Sequence, residues 1–208
     1  MERFSPLRGI TEGREFFGLA PGSFVVGVVS RIRASRRIDI PLAAIQALAE
    51  RYPHLKLLIV GRGSEGAVDT LVNEPARQMQ IADRVILAGY CRDDRLVAAY
   101  RAMDVLVYPT PGTDKSCRTV REAMATGLAV IAPNIGFLPE LINDGRNGVL
   151  MDVSGKNLSG ILSGLIEDTQ RLSEIGRQAL KTATDRFQPS LQAEKIQSFY
   201  EKLLVTNG

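Results

Sequence analysis

The stretch RVILAGYCRDDRLVAAYRAMDVLVYPT, residues 84–110, sets two short apolar runs on either side of a longer amphipathic segment. Residues 84–90 and 104–110 are rich in valine, isoleucine and leucine, which predicts two buried strands. Residues 93–103 between them have the pattern of a helix. A strand, a helix and a strand in direct succession are typical of a unit whose two strands run parallel.

The same alternation extends in both directions along the chain. Further strands are predicted at residues 24–30, 55–61, 128–133 and 147–152, and further helices at 39–52, 68–81 and 118–127. We expect Pro75 to break or kink the helix at 68–81. Residues 137–144 are expected to form a short helical turn, and the chain from Ser154 onward shows helical patterns only.

These elements predict an α/β fold, a doubly wound, Rossmann-like parallel sheet of about six strands with helices on both faces and a helical C-terminal tail. The near-continuous apolar strands agree, because a parallel sheet is covered on both faces. Residues 1–22 show no clear element and are expected to be a lead-in or interdomain linker. Residues 23–208 are predicted to form a single Rossmann-like domain.

The composition narrows the class of protein. The chain has 208 residues, of which 45% are hydrophobic and 24% charged, and a net charge of +3, which is too mild to argue for nucleic acid binding. Cys91 and Cys117 form no CxxC pair, so neither a disulfide framework nor a zinc site is expected. No apolar run approaches the length of a membrane span and no signal peptide is recognised, so we expect a cytoplasmic protein.

A polar loop at residues 109–118 leaves the carboxyl end of a predicted strand and leads into the helix at 118–127. In open α/β sheets ligands bind at these strand ends, and the N-terminus of a helix there favours an anion such as phosphate. Glu122 lies one turn into this helix, where it could accept hydrogen bonds from sugar hydroxyls. Alternatively, Glu122 only complements the helix dipole.

Two further segments follow predicted strands. Arg31, Arg36 and Arg37 form a basic cluster after the first strand, which fits either diphosphate binding or a solvated surface. Gly61 and Gly63 belong to GRGSEG, a match to GxGxxG. Because this segment follows the second strand and not the first, we interpret it as a turn near a nucleotide and not as a dinucleotide site.

Several motifs together resemble the donor-binding, C-terminal domain of the retaining GT-B glycosyltransferases of family 4. EAMATGLAVIA at 122–132 resembles the segment that follows the second glutamate of the family's Glu-x7-Glu motif, and Asp114 stands eight residues before Glu122. The segments that resemble the remaining motifs occur in the family's order: FVVGVVSRIRASRR (24–37), LLIVGRGSE (57–65), residues 84–110 and GFLPELINDGRNGVLMD (136–152). Residues 84–110 resemble the strand–helix–strand unit that brackets the nucleotide base in the family. The resemblance covers essentially the whole chain.

The resemblance implies roles for individual residues. Arg31 and Arg36, or its neighbour Arg37, would hold the donor diphosphate, Asp114 would contact the sugar and Glu122 the ribose hydroxyls. The binding site would be completed by two turn glycines and by the residues before and at the helix start: Gly61, Gly63, Lys115, Cys117, Arg118 and Thr119. The nucleotide-sugar is a substrate, and neither a cofactor nor a metal is expected.

Two departures from the family pattern stand out. The family usually has Glu-Gly-Phe-Gly where this chain has Asp114-Lys115-Ser116-Cys117, which suggests an unusual sugar or extra phosphate contacts. GT-B enzymes also have an N-terminal acceptor-binding domain, and this chain has only the second half. We therefore expect a fragment that transfers nothing alone, from an enzyme of polysaccharide or glycolipid assembly that can associate peripherally with a membrane.

Two classes of function remain open from the sequence. The first is the donor-binding half of a hexosyltransferase that retains anomeric configuration. The second is a catalytically silent nucleotide- or anion-binding regulatory module of the same fold, which would use the same crevice. A non-hydrolysing epimerase of similar architecture is disfavoured, because its expected histidine-rich acid/base set is missing from the sequence.

Overall fold

A computed structural model of the chain describes residues 10–112, 117–188, 193–194 and 196–201. Within these ranges the strands are β1 (Phe24–Val29), β2 (Leu55–Val60), β3 (Val85–Gly89), β4 (Val105–Val107), β5 (Ala129–Pro133) and β6 (Val149–Met151). The helices are α1 (Ile10–Phe16), α2 (Asp39–Leu48), α3 (Glu65–Val68), α4 (Glu74–Gln78), α5 (Asp93–Ala102), α6 (Arg118–Ala125), α7 (Leu138–Leu141), α8 (Leu158–Glu167) and α9 (Thr169–Arg186). The predicted α/β fold is confirmed.

The six strands of the described chain form one sheet in the order β3-β2-β1-β4-β5-β6, and every neighbouring pair is parallel. Helices cover both faces. One apolar core lies between the sheet and α5, α6 and α9, and the other lies between the sheet and α2, α8 and the helical segment at 65–78.

Successive strand residues supply the two cores in turn, which explains the continuous apolar runs in the sequence. In β2, Leu57 and Ile59 point into the core beneath α2, whereas Leu58 and Val60 point into the core beneath α5. All four side chains are nearly or fully buried. A strand buried on both faces has no place for the polar alternation of a half-exposed strand.

The helical path at residues 65–78 differs from the prediction in its start and in the effect of Pro75. It begins earlier than predicted, at Glu65, where the Ser64 hydroxyl caps the helix by accepting from the Ala67 amide at 3.3 Å. Pro75 does not end it. Residues Asp69–Asn73 widen into a π-helical turn directly before α4. A π turn is a known way for a helix to accommodate a residue that cannot complete the regular pattern.

The expectation that residues 1–22 carry no element is wrong for α1, which packs against α5. The two helices approach so closely that a Cβ at Gly13 would lie 2.6 Å from the Ala98 carbonyl oxygen. Arg14 then forms hydrogen bonds of 2.8 and 2.7 Å to both carboxylate oxygens of Asp104, which also accepts the Val25 amide at 2.7 Å. Tertiary contacts therefore hold a helix that is too short to be stable alone.

The predicted helical tail is confirmed in α8 and α9, and the described residues at 193–194 and 196–201 are also helical. The strand order reverses between β1 and β4. The loop after β1 leads toward one side of the sheet and the loop after β4 toward the other. A crevice opens between them at the carboxyl edge, which is the usual ligand position in doubly wound folds.

Candidate functional site

A cleft of about 480 Å³ lies at this crevice. Its walls come from the loops after β1, β2 and β3 and from the first turns of α5 and α6. The two α6 residues at its start, Arg118 and Thr119, belong to the lining together with Glu122. The amide groups of a first helical turn have no partner within the helix, so this wall offers N–H groups and a partial positive charge to the cleft.

The loops after β1 and β2 run side by side because Gly61 lets them touch. Gly61 has φ of +150°, and a Cβ built on it would lie 1.8 Å from the Ser30 carbonyl oxygen. Hydrogen bonds continue the ladder beyond the strands, from the Ser30 amide to the Val60 oxygen at 2.9 Å and from the Ile32 amide to the Arg62 oxygen at 3.0 Å. This pairing brings the residues that follow each strand to the rim of the cleft.

Glu122 is held from behind by a buried tyrosine. The Tyr100 hydroxyl on α5 donates to Glu122 Oε2 at 2.8 Å, and the Thr119 side chain hydrogen-bonds the same phenol. Arg118 Nε lies 3.2 Å from the other carboxylate oxygen, Oε1. The Glu122 side chain is 15% exposed, so it is oriented by its protein contacts while one edge still faces the cleft.

Burial dominates the electrostatics of this pair. It raises the pKa of the Glu122 carboxyl, although the Tyr100 hydrogen bond and the Arg118 charge both act to lower that pKa. Burial, followed by the charge of Glu122, raises the pKa of Tyr100 well above its usual value. The phenol therefore stays a hydrogen-bond donor, and Glu122 is an acceptor whose protonation begins at a higher pH than that of an exposed glutamate.

Basic and aromatic side chains form the rest of the cleft wall. Arg31 lines it from the loop after β1, and Arg62 lines it from the loop after β2. Arg92, after β3, and Arg62 both lie over the ring of Tyr90, at 5.0 and 4.9 Å from its centroid. Among the described residues, Arg31, Arg62, Arg92 and Arg118 line this cleft against two carboxylates, Asp93 and Glu122. The excess of positive charge favours an anionic ligand.

A family model described as "Glycosyl transferases group 1" matches residues 23–168. The chain belongs to this glycosyl transferase family. Among relatives with curated descriptions, the lipopolysaccharide core biosynthesis mannosyltransferase LpsB of Rhizobium meliloti is 26% identical over 208 residues, which cover 98% of this chain and 58% of LpsB. The GDP-mannose-dependent alpha-mannosyltransferase of Mycolicibacterium smegmatis is 32% identical over 165 residues, 78% of this chain and 40% of that enzyme. The glycosyl transferase chain thus spans about half the length of the curated relatives it matches.

Solved structures show the same fold. The Anabaena protein Alr3699/HepE, crystallised in complex with UDP and glucose, superposes with a TM-score of 0.81 and is 27% identical, covering 92% of this chain and 51% of that one. The C-terminal domain of the group 1 family protein LpcC from Francisella tularensis has a TM-score of 0.80 at 22% identity. That comparison, which supports the fold alone, covers 90% of this glycosyl transferase chain and 97% of the LpcC domain.

The structure brings together five of the residues proposed from the sequence of this glycosyl transferase. They share the cleft and come from three segments: Arg31, Gly61, Arg118, Thr119 and Glu122. Asp114 and Lys115 lie outside the described residues, so their proposed roles remain predictions. The roles proposed for the five residues toward a substrate also remain predictions.

Four residues proposed from the sequence do not line this cleft: Arg36, Arg37, Gly63 and Cys117. Arg36 ends a 3-10 turn at Ala34–Arg36. Arg37 forms hydrogen bonds to Asp39 at 3.0 to 3.2 Å, and this pair raises the Arg37 pKa. It lines a separate cavity of about 280 Å³ beside α2 and residues 154–159.

Gly63 and Cys117 have structural surroundings. A Cβ at Gly63 would lie 2.8 Å from the Ile32 carbonyl oxygen, so this glycine allows two loops to approach each other. Cys117 is fully buried directly before α6, next to Gly112. It occupies the N-cap position of α6 without a capping hydrogen bond from its side chain, and its thiol is buried in the protein interior.

Sequence reasoning placed residues 84–110 near a nucleotide base through the family resemblance, but it did not single out the side chains of this wall: Arg62, Tyr90, Arg92 and Asp93. The signal was present, since these residues follow β2 and β3 directly and the carboxyl ends of parallel strands share one edge. Among the described ranges, no group of three or more His, Cys, Asp or Glu side chains is arranged to hold a metal ion. Also within the part of the chain covered here, no helix combines the length and apolar character needed to cross a bilayer.

Proposed function

We propose that this chain is the donor-binding half of a glycosyltransferase that moves a sugar from a nucleoside diphosphate to an acceptor with retention of anomeric configuration. One observation carries the proposal: Arg31, the N-terminus of α6 and Glu122 line a single cleft at the carboxyl edge of the sheet. Family membership and the UDP-bound Anabaena relative support it. A relative named as GDP-mannose-dependent leaves the nucleotide base open.

In the proposed reaction each wall of the cleft would have its own task. Negative charge grows on the diphosphate as the bond to the sugar breaks, and fixed positive groups lower the barrier by stabilising that charge. Arg31 and the amides of Arg118 and Thr119 would provide this stabilisation. Glu122, oriented by Tyr100, would accept hydrogen bonds from the ribose hydroxyls. Asp114 would contact the transferred sugar, and the arginines take the place of a metal in this proposal.

The chain would bind its donor but transfer nothing alone, because we propose that the acceptor-binding, N-terminal domain belongs to a longer protein. That domain would close over the cleft and present the acceptor. Products would belong to polysaccharide or glycolipid assembly in the cytoplasm, with the full protein associated peripherally with a membrane. The proposal of a longer protein is supported by the coverage of the relatives: the chain covers only 58% of LpsB and 51% of the Anabaena protein.

Isothermal titration calorimetry tests the binding half of this proposal. The folded chain should release heat with at least one of UDP, GDP and ADP. Arg31→Met and Glu122→Gln should each weaken that binding about 10-fold or more, because each removes a charge-assisted hydrogen bond to the ligand. Arg51→Met, which removes a guanidinium stacked on Tyr52 at 5.4 Å and outside this cleft, is the matched control. Absence of heat with all three nucleotides in a folded sample would refute the proposal.

Transfer itself is tested in the longer protein that carries both domains. Sugar transfer should require both halves, and nuclear magnetic resonance of the product should show the anomeric configuration of the donor. Inversion would contradict the proposed stereochemistry. Nucleotide binding without transfer in the two-domain protein would favour the catalytically silent module.

A further inference from the structure

The wall of the cleft opposite α6 has an unusual composition. Tyr90 is 50% exposed, and the guanidinium groups of Arg62 and Arg92 lie against its ring at 4.9 and 5.0 Å from the centroid. In the described part of the chain, Tyr90 is the single aromatic side chain in the lining of this cleft. A guanidinium over an aromatic ring is attracted by the face of the ring, and its N–H groups can still donate to a ligand.

These two arginines are not neutralised by the protein. No carboxylate within the described residues forms an ion pair with Arg62 or Arg92, whereas Arg118 has Glu122 at 3.2 Å. Both side chains are exposed at the rim of the cleft, so a bound ligand can supply the hydrogen-bond acceptors that solvent otherwise provides. Their arrangement on one ring therefore indicates a recognition surface for hydrogen-bond acceptors.

The distance across the sheet separates this surface from the anion site. Arg92 follows β3, and α6 follows β4 by way of the connecting loop; in the sheet these strands are separated by β2 and β1. Three strand spacings amount to about 14 Å. A ligand whose phosphates lie at the α6 N-terminus must be extended to reach Tyr90, and the part of a nucleoside diphosphate farthest from its phosphates is the base.

The resemblance already places the base of the donor nucleotide at this wall; we propose that Arg62 and Arg92, held over Tyr90, select guanine there, so that the donor is a GDP-linked sugar. This proposal rests on the proposed function. A guanidinium fork binds two adjacent acceptors, and guanine presents O6 and N7 side by side. Adenine places an amino group next to N7, and uracil has a single isolated oxygen at the corresponding edge. Guanine is therefore the one of these three bases whose edge matches the arginine fork.

The competing explanation is that Arg62 and Arg92 contact the phosphates. In that case they would add equal affinity for every nucleoside diphosphate, because the diphosphate is common to all three. The two explanations differ in base discrimination and not in overall affinity. A comparison of bases with each arginine removed in turn therefore separates them.

The experiment is calorimetric titration of the chain with GDP, UDP, ADP and 7-deaza-GDP, which lacks the N7 acceptor. GDP should bind between about 5-fold and 150-fold more tightly than UDP or ADP, the range expected for one good bidentate contact to a base. 7-Deaza-GDP should lose a large part of that preference. Arg62→Met and Arg92→Met keep the length of the side chain, and at least one of them should weaken GDP binding while leaving UDP binding unchanged.

Matched variants address the role of the ring. Tyr90→Phe keeps the stacking surface and should preserve the GDP preference, whereas Tyr90→Ala releases both guanidinium groups and should abolish it. Arg51→Met, stacked on Tyr52 and outside this cleft, should change neither affinity. All these positions are exposed, so the variants are expected to fold.

Two results would overturn the guanine proposal and leave the proposed function standing. One is binding of UDP or ADP at least as tight as that of GDP. The other is an equal loss of affinity for all nucleotides in Arg62→Met and Arg92→Met, which would assign these arginines to the phosphates. Failure of every nucleotide to bind the folded chain would instead overturn both proposals.

Discussion

Replacement of Tyr100 by phenylalanine tests the buried contact that orients Glu122. The change removes one hydroxyl from a fully buried ring and leaves the packing of that ring in place. At neutral pH the lost bond is one to an ionised carboxylate, at 2.8 Å, and such bonds contribute about 1.5 to 3 kcal/mol to stability. The Thr119 contact to the same hydroxyl is lost at every pH and adds a constant amount.

The stability deficit of Tyr100→Phe should depend on pH. Burial raises the pKa of Glu122 above its unfolded value, so its ionisation costs folding free energy above the folded pKa, and that cost disappears below the unfolded pKa. Tyr100 lowers the pKa of Glu122, so its removal raises the cost at neutral pH. In acid the wild-type bond joins two neutral groups and contributes about 0.5 to 1.5 kcal/mol. The deficit should therefore shrink by about 1 kcal/mol or more between about pH 8 and about pH 4.

Urea denaturation of the wild type and the variant at each pH measures this difference directly. A second comparison supplies the control: in a Glu122→Gln background the phenol meets a neutral amide at every pH, so the effect of Tyr100→Phe should be independent of pH. An equal deficit at both pH values in the wild-type background would refute the reasoning. Tyr100 would then act through packing and Thr119, and Glu122 would not be oriented by an ionic hydrogen bond.

Two further substitutions test the scaffold around the cleft. Gly61→Ala should destabilise the chain by more than about 3 kcal/mol in the urea assay, because φ is +150° and the new Cβ would meet the Ser30 oxygen. As a control, Gly66→Ala in the open first turn of α3 should be neutral or stabilising. Equal stabilities of the two variants would contradict the loop contact. Asp104→Ala should lower the free energy of unfolding by about 3 kcal/mol, because it leaves the mostly buried Arg14 guanidinium without its carboxylate. It should also accelerate amide hydrogen exchange in α1. Unchanged protection of α1 would show that the pair does not hold this helix.

The fold could be predicted because the signals that define it are local. The strands are continuous apolar runs, and strands such as β2 supply residues to both cores, so the alternation of strands and helices was enough to indicate a parallel sheet. The helix α1 could not be found in this way. It contains Gly13, which is unfavourable in a helix interior, and its stability depends on close contact with Ala98, a residue far along the chain.

The candidate site was predicted only where one segment carries its own signal. The α6 segment holds Arg118, Thr119 and Glu122 in a single motif, and the structure places all three in the cleft. The sequence did not indicate which of the arginines after β1 would line the cleft. Arg31 lines the cleft, whereas Arg37 turns to Asp39, a partner two residues away that determines its direction.

The opposite wall depends on distant contacts. Tyr90 has no aromatic residue near it in the sequence, and its contact with Arg62 arises from the pairing of β2 with β3. Nothing in the local pattern distinguishes an arginine stacked on a ring in the cleft from one on an open surface. The strand-end rule indicates the right edge of the sheet for both, but tertiary structure decides which side chains meet.

A crystal structure of the chain with a bound nucleoside diphosphate would locate the anion site itself. We expect the phosphates to lie within hydrogen-bonding distance of Arg31 and of the Arg118 and Thr119 amides, with the ribose hydroxyls on Glu122. A nucleotide bound instead in the cavity beside α2, where Arg37 and Lys156 provide positive charge, would contradict this expectation.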